Sequence, residues 1–395
     1  MRVVILIESF PYFSETFIYN QFKELLNKGI DVYLYYFKPS GVNVNHSVVK
    51  LIEKSGRLEV FRKRVKPFFF YNLIKFPFKS FLLLKHFQSK RSLFYIANLD
   101  FLMNIENSHI LHTHFGRMGE ISGTMFEVGV FKKVKLVNSF HGVDILPSKI
   151  SDYKLEYRNL IKYSSLCIAN SQYSRDIIAK IDRKLIDKLV VLPVGVDFSF
   201  FLNYKSQQKK SFEVIYVGRL IDFKGAINVL KIARKITKQI DDIHFHIIGD
   251  GGDYDFLVKY SCDNNLDSFV SFHKALPHEQ LISFYMRSSV FLLPGVTISD
   301  TGRAENQGLV IQEAQAMGLP VVISDAGGMK EGVVDGVSGF VVPEDDIDQF
   351  SDKILFFYKN RNLIQSFGYA GNRFVNDYYS NSFITDRLIK IYFFI

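Results

Sequence analysis

Short apolar runs of strand character recur along this chain, and amphipathic helical segments fill most of the gaps between them. The first series of strand-like runs is Val3–Ile7, Asp31–Phe37, His109–His112, Val134–Ser139, Leu166–Ala169 and Leu189–Leu192. The polar segment 203–211 then breaks the pattern. A second series follows at Phe212–Val217, Ile243–Ile248, Val270–Phe272, Val290–Leu293, Val321–Ser324 and Gly339–Val342. Strands separated by helices cannot pair as tight hairpins. They need crossovers, and the outcome is a parallel sheet covered by helices on both faces. The expected class is α/β, with two Rossmann-like domains facing a central cleft. The expected division is 1–202, a linker at 203–211, 212–375, and a C-terminal helix at 376–395 that packs back on the first domain.

Local signals agree with that frame. Ser14, Glu15 and Thr16 read as the cap of a helix running to about Lys28, with Ile18, Phe22, Leu25 and Leu26 on one face and Gly29 as its stop. Further helices are expected at Ala226–Ile240 and Pro277–Arg287. Cys167 and Cys262 are too few for a disulfide framework, which points to a reducing, cytoplasmic setting. The apolar run before Glu8 is short and reads as a first strand rather than a signal peptide. No apolar run approaches about 18 residues, so no membrane-spanning helix is expected.

Charge is uneven. Residues 57–94 hold ten Lys and Arg against one acid, Glu59, which equals the +9 net charge of the whole chain. The same stretch holds ten aromatics, among them Phe68, Phe69, Phe70, Tyr71, Phe76, Phe78 and Phe81. Basic residues mixed with large apolar ones suit an anionic membrane surface. The plainer alternative is a helical hairpin whose Phe side chains fill the first domain's core while the Lys face water. Nucleic acid is not the expected partner.

The chemistry concentrates at the ends of expected strands, where open α/β sheets bind ligands. Glu305 and Glu313 stand eight positions apart, with Gly308 between them at a loop-to-helix junction. A helix starting there offers free N–H groups at Gly308, Leu309 and Val310, which favour phosphate. Carboxylates to either side would accept hydrogen bonds from hydroxyls. Gly218 and Arg219 follow the strand ending at Val217, and Lys224 completes a turn with two cations suited to a diphosphate. Gly249 opens a tight glycine turn after Ile248. His141 follows the strand ending at Ser139, beside Gly142 and Asp144. His112 and His114 lack Cys or carboxylate partners at ligand spacing, so no metal is expected. Asp253 with Asp255, and Asp346 with Asp348, read as helix-start acids. No nucleophile elbow or P-loop is present.

Taken together, these pieces resemble the family 4 retaining glycosyltransferases, which have the GT-B fold. The resemblance rests on Tyr216 to Leu220 with Lys224-Gly225, Ile248 to Gly251, Glu305 to Glu313, Ala316 to Val322, Gly327-Gly328 with Glu331, and Asp335 to Val342. Phe10 to Phe17 and His112 to Gly116 resemble the branch that builds bacterial exopolysaccharide and surface polysaccharide. The resemblance implies a metal-independent transfer from a nucleotide-diphosphate sugar, UDP- or GDP-linked, without a further cofactor. The basic-aromatic stretch 57–94 adds the expectation of a lipid-linked acceptor at the inner face of the plasma membrane, while the resemblance itself implies a saccharide. It also implies roles. Arg219 and Lys224 would grip the diphosphate, Glu305 the sugar hydroxyls and Glu313 the ribose. His141 would face the sugar, and Phe272 to Leu276, including His273 and Lys274, would meet the nucleobase. Lys274 stands where the family usually has glycine. An epimerase or hydrolase on the same fold, or a non-catalytic sugar-nucleotide-binding subunit, are the competing functions.

Overall fold

The computed structural model describes residues 1–11, 16–41, 47–61, 66–87, 90–197 and 211–395. The expected cap at Ser14 and Glu15 and the expected linker at 203–210 lie outside them. The chain divides into two units. The first comprises Met1–Asn170, Ser174–Leu192 and Ile384–Ile395, and the second Ser171–Tyr173 and Pro193–Phe383.

The first unit is built on β1 (Arg2–Phe10), β2 (Asp31–Pro39), β3 (Leu58–Val60), β4 (Ile110–His114), β5 (Lys135–Ser139), β6 (Leu166–Ala169) and β7 (Leu189–Val191). Their order is β3-β2-β1-β4-β5-β6-β7, and each pairing is parallel. Val3 pairs with Val32 on one side and Ile110 on the other, so β1 is a central strand, buried from Val3 to Ile7. This explains its unbroken apolar run. The helix Thr16–Asn27 buries Ile18, Tyr19, Phe22 and Leu25. It ends where Gly29 takes φ +76°, a turn open to glycine without a Cβ penalty. Only β3 was not expected. It has three residues, sits inside the basic stretch, and acquires strand character by pairing with the edge of β2.

The stretch 57–94 is split in its loyalties. Phe61 is buried and stacks on Phe37 at 4.4 Å. Two helices, Lys66–Lys75 and Pro77–His86, then expose several of their large apolar residues while burying Leu83. Phe70 is 65% exposed, Ile74 81%, Phe78 66% and Phe81 60%. These four therefore do not fill the core. One lysine also departs from the plain hairpin picture: Lys79 turns inward and donates to the carbonyls of Gly129 and Val130.

The second unit repeats the scheme with β8 (Glu213–Val217), β9 (His244–Ile248), β10 (Val270–His273), β11 (Val290–Leu293), β12 (Val321–Ser324) and β13 (Gly339–Val342). The order is β10-β9-β8-β11-β12-β13, again parallel throughout. The strand order reverses at β8 and β11, which are neighbours. Such a switch point leaves a crevice at the carboxyl ends of the two strands. The expected helix at 376–395 is broken at Ser380. Arg361–Tyr379 belongs to the second unit, and the following helix Asn381–Phe394 buries Leu388 and Tyr392 in the first.

Candidate active site

The carboxyl ends of the second unit's strands carry the residues that the sequence singled out there, and His141 lies in the first unit. The loop after β8 runs through Gly218 and Arg219 to Lys224, where a short 3-10 turn, Asp222–Lys224, precedes the helix Ala226–Ile236. Buried Tyr216 anchors this loop from below. Its hydroxyl lies 3.4 Å from the Arg219 carbonyl and 3.3 Å from that of Lys224, and donates to this pair. The neighbouring turn after β9 packs directly on it, because a Cβ on Gly249 would stand 1.9 Å from the Gly218 carbonyl. Only glycine permits that approach of backbones.

Across the switch point, the loop after β11 delivers Glu305. Its carboxylate accepts from the Lys224 ammonium, and both side chains are only 14% exposed. The Asn306 N–H adds a bond of 3.2 Å. Burial pushes the Glu305 carboxyl up, but Lys224, the Asn306 N–H and Arg219 together outweigh it and hold the group below its ordinary value. Glu305 is thus ionised and pinned. Its backbone is pinned too: the Gly328 N–H donates to the Glu305 carbonyl at 2.9 Å, and a Cβ on Gly328 would lie 2.0 Å from the Asn306 carbonyl.

Gly308 then takes φ +76° and ψ +63° and starts the helix Leu309–Ala316, which no side chain caps. Among the described residues, the N–H groups of Leu309 and Val310 have no acceptor in the chain. Free donors and the positive end of a helix dipole are features that favour an anion. One turn on, Glu313 meets the Tyr285 hydroxyl at 3.5 Å. Burial raises its carboxyl to about 7, with Tyr285 offsetting only part of that rise. Two carboxylates eight residues apart therefore differ in state. Glu305 is held ionised by Lys224, whereas burial raises Glu313, which has no ion pair among the described residues.

The two residues expected at the nucleobase go separate ways. His273 turns to His246, whose Nδ1 lies 3.3 Å from His273 Nε2. His246 in turn meets Glu213 at 3.0 Å. Lys274 sits 3.3 Å from the centroid of the Tyr254 ring and 3.3 Å from an Asp250 carboxylate oxygen. The acids expected to start helices do so: Asp346 accepts from the Gln349 N–H at 2.9 Å, and Tyr254–Asp263 begins after Asp253.

In the first unit, His141 lies just past β5 with one face toward Phe17 and another toward Phe115. Asp144 accepts from the His141 N–H at 2.9 Å and from the Gly116 N–H at 2.7 Å, which fixes the loop to a helix start. Burial raises the Asp144 carboxyl to about 6, against these backbone bonds. His114 Nδ1 stands 2.9 Å from His141 Nε2. His112 is held by Ser139 at 2.8 Å and by the Tyr392 hydroxyl at 2.5 Å.

Several residues were not legible as site residues. Gln307 clamps the backbone of one residue with two bonds, accepting from the Val194 N–H at 2.8 Å and donating to its carbonyl at 2.9 Å. Asn306 accepts from the Ser171 hydroxyl at 3.3 Å. Glu331 accepts from the N–H groups of Gln172 and Tyr173 at 2.7 and 3.0 Å. These contacts join residues more than a hundred positions apart, and nothing local announces them.

Two parallel-sheet Rossmann-like units, with paired cations and an uncapped helix start between carboxylates at the second switch point, define a glycosyltransferase of the GT-B class. The comparisons agree. Residues 201–374 match the model described as "Glycosyl transferases group 1", and residues 14–200 match "Glycosyltransferase Family 4". The chain belongs to the family 4 glycosyltransferases. It is similar to a putative colanic acid biosynthesis glycosyltransferase, WcaL, of Escherichia coli, 25% identical over 370 residues and 90% of each chain. The amylovoran biosynthesis glycosyltransferase AmsK of Erwinia amylovora is 26% identical over 367 residues, 88% of each. The Anabaena protein HepE, solved in complex with UDP, shares the fold with a TM-score of 0.72 at 16% identity over 100% of both chains.

Proposed function

We propose that this glycosyltransferase moves a sugar from a nucleotide-diphosphate donor, UDP- or GDP-linked, to a saccharide acceptor in bacterial surface polysaccharide synthesis, with retention at the anomeric carbon. The observation that carries the donor class is the array at the β8–β11 switch point. Lys224 pairs with Glu305, Arg219 helps to hold the Glu305 carboxyl down, and the uncapped helix start at Leu309 and Val310 lies between Glu305 and Glu313 in the chain. A diphosphate is the ligand that uses cations and helix dipole together. Glu305 accepts from sugar hydroxyls, Glu313 from the ribose, and His141 meets the sugar. The backbone at Gly218 and Gly249 lets the phosphates approach closely. On this reading His273, at the end of β10, and Lys274, just past it, meet the base.

The acceptor oxygen attacks the anomeric carbon, the bond from that carbon to the phosphate oxygen breaks, and the acceptor proton passes to the leaving diphosphate. The cations and helix dipole stabilise the developing charge without a metal or a further cofactor. The relatives' names, which cite colanic acid and amylovoran, support a polysaccharide acceptor, and HepE's complex with UDP supports the donor class. Mass spectrometry of products from a panel of UDP- and GDP-sugars with lipid-linked acceptors tests the reading, with and without a chelator. Product nuclear magnetic resonance reads the anomeric configuration. An inverted product or activity abolished by chelation would overturn the mechanism.

The acceptor is lipid-linked on this reading, and the enzyme works at the cytoplasmic face of the plasma membrane. Phe70, Ile74, Phe78 and Phe81 are exposed on helices that also carry Lys75 and Lys85. Among the described residues no helix is long and apolar enough to cross a membrane. Surface attachment through these side chains predicts cosedimentation with anionic vesicles, lost when the four are changed to Ser. Equal recovery with neutral and anionic lipid would count against it.

A further inference from the structure

Three histidine rings form a stack in the first unit. His112 and His114 lie 4.6 Å apart between centroids with planes 18° apart, and His114 and His141 lie 5.2 Å apart with planes 11° apart. The outermost ring, His112, is buried and tied at both nitrogens. Its Nδ1 meets the Tyr392 hydroxyl at 2.5 Å and the Gln21 amide at 3.2 Å, and its Nε2 meets Ser139 at 2.8 Å. The middle ring, His114, is buried as well. The last ring, His141, is partly covered.

Burial drives all three toward the neutral form, and neighbouring imidazoles add to the effect at His112 and His114. Each ring therefore carries one N–H and one lone pair. One proton serves the 2.9 Å contact between His114 Nδ1 and His141 Nε2. Two arrangements satisfy it. If His141 donates from Nε2, His114 must carry its proton on Nε2. That nitrogen is buried and has no partner among the described residues, so the result is an orphaned buried donor. If His114 donates from Nδ1, its Nε2 is an unfilled acceptor instead. Orphaned buried N–H groups are rarer in folded proteins than under-used acceptors.

We infer that His114 is a positioning residue: it donates from Nδ1 to His141 Nε2, and thereby fixes His141 as the Nδ1–H tautomer with that N–H directed away from the stack as a hydrogen-bond donor. Asp144 does not do this task, because its carboxylate is engaged by the backbone of His141 and Gly116 rather than by a ring. His141 Nδ1 has no partner in the chain among the described residues, on a ring left partly open. A donor there suits a sugar oxygen. Tyr392 and Ser139 hold His112, and so keep the stack in register from beneath. This assignment rests on the proposed role of His141 toward the sugar only for its functional consequence. The tautomer itself does not depend on that role.

The test is long-range nitrogen-15 nuclear magnetic resonance on the full chain labelled at histidine, with His141→Ala used for assignment. The wild type is expected to show His141 protonated at Nδ1. His114→Leu removes the donor, and His141 reverts to the Nε2–H form that imidazole favours in water. His114→Asn, whose Nδ2–H reaches the position of the lost Nδ1–H, keeps the wild-type tautomer. Sugar transfer follows the tautomer: kcat falls about tenfold in His114→Leu and stays within about threefold in His114→Asn. An Nε2–H tautomer at His141 in the wild type overturns the inference, as does His114→Asn giving the Nε2–H form. Should His114→Leu not fold, the wild type and His114→Asn still decide. Unchanged transfer by His141→Ala would sink the role of His141 at the sugar and leave the tautomer result standing.

Discussion

Glu313 has a conflict built into it, and Glu313→Gln exposes both sides. Burial raises its carboxyl from 4.5 to about 7. A carboxyl raised on folding holds its proton more tightly in the native state than in the unfolded chain. Stability therefore falls as pH rises from 4.5, and the loss is complete above about 7. Each tenfold gain in proton affinity corresponds to about 1.4 kcal/mol, so the ionised group costs the free fold at most about 3 kcal/mol at pH 8. The side chain is partly exposed, and solvent relaxation brings the expectation to roughly 1–3 kcal/mol. At pH 4.5 the same linkage leaves well under about 1 kcal/mol. Glu313→Gln removes the charge while keeping the shape. Its unfolding midpoint should rise above wild type at pH 8 and match it near pH 4.5, as read by scanning calorimetry. Binding should move the other way. A hydrogen bond to a carboxylate exceeds one to an amide by about 1 kcal/mol, so titration calorimetry with UDP and GDP at pH 8 should show about five- to tenfold weaker affinity for whichever nucleotide the wild type binds. A variant that melts at or below wild type at pH 8, or that binds as tightly as wild type, would refute the reasoning.

Lys224→Met leaves Glu305 partly buried without its cation, so transfer should drop at least tenfold, on the order of 1.4 kcal/mol or more, in a steady-state assay. Unchanged turnover would remove Lys224 from the site. Gly328→Ala forces a Cβ against the Asn306 carbonyl and displaces the Glu305 loop, so activity should fall together with the unfolding midpoint. Wild-type values of both would show that the loop yields at no cost. Gln307→Ala frees the Val194 peptide and should cost about 1–3 kcal/mol of stability, seen in denaturant melts.

The family pattern was legible because its elements are local. A strand end, a glycine and a helix start lie within a few residues of each other, as at Val217 to Gly225 and at Glu305 to Glu313. Their ligand logic follows from backbone dipoles and charge. Parallel topology was legible for the same reason, since alternation of strand and helix leaves few other solutions. The sequence also marked the basic-aromatic stretch, but not which of its rings turn inward. Phe61 stacks in the core while Phe70, Ile74, Phe78 and Phe81 are left exposed, and packing alone makes that choice.

What remained for the tertiary structure was the pairing of distant groups. The order of residues was enough to specify two Rossmann-like series, the glycine turns and the cations and carboxylates at their ends. It did not show that Lys224 lies on Glu305, that burial raises Glu313, or that His114 lies against His141. Ionisation and tautomer depend on distance and burial, and these are set only when strands far apart in the chain become neighbours. Two glutamates of the same type, eight residues apart on one loop and helix, thus end with carboxyls shifted in opposite directions: one held down by a lysine, the other raised by burial.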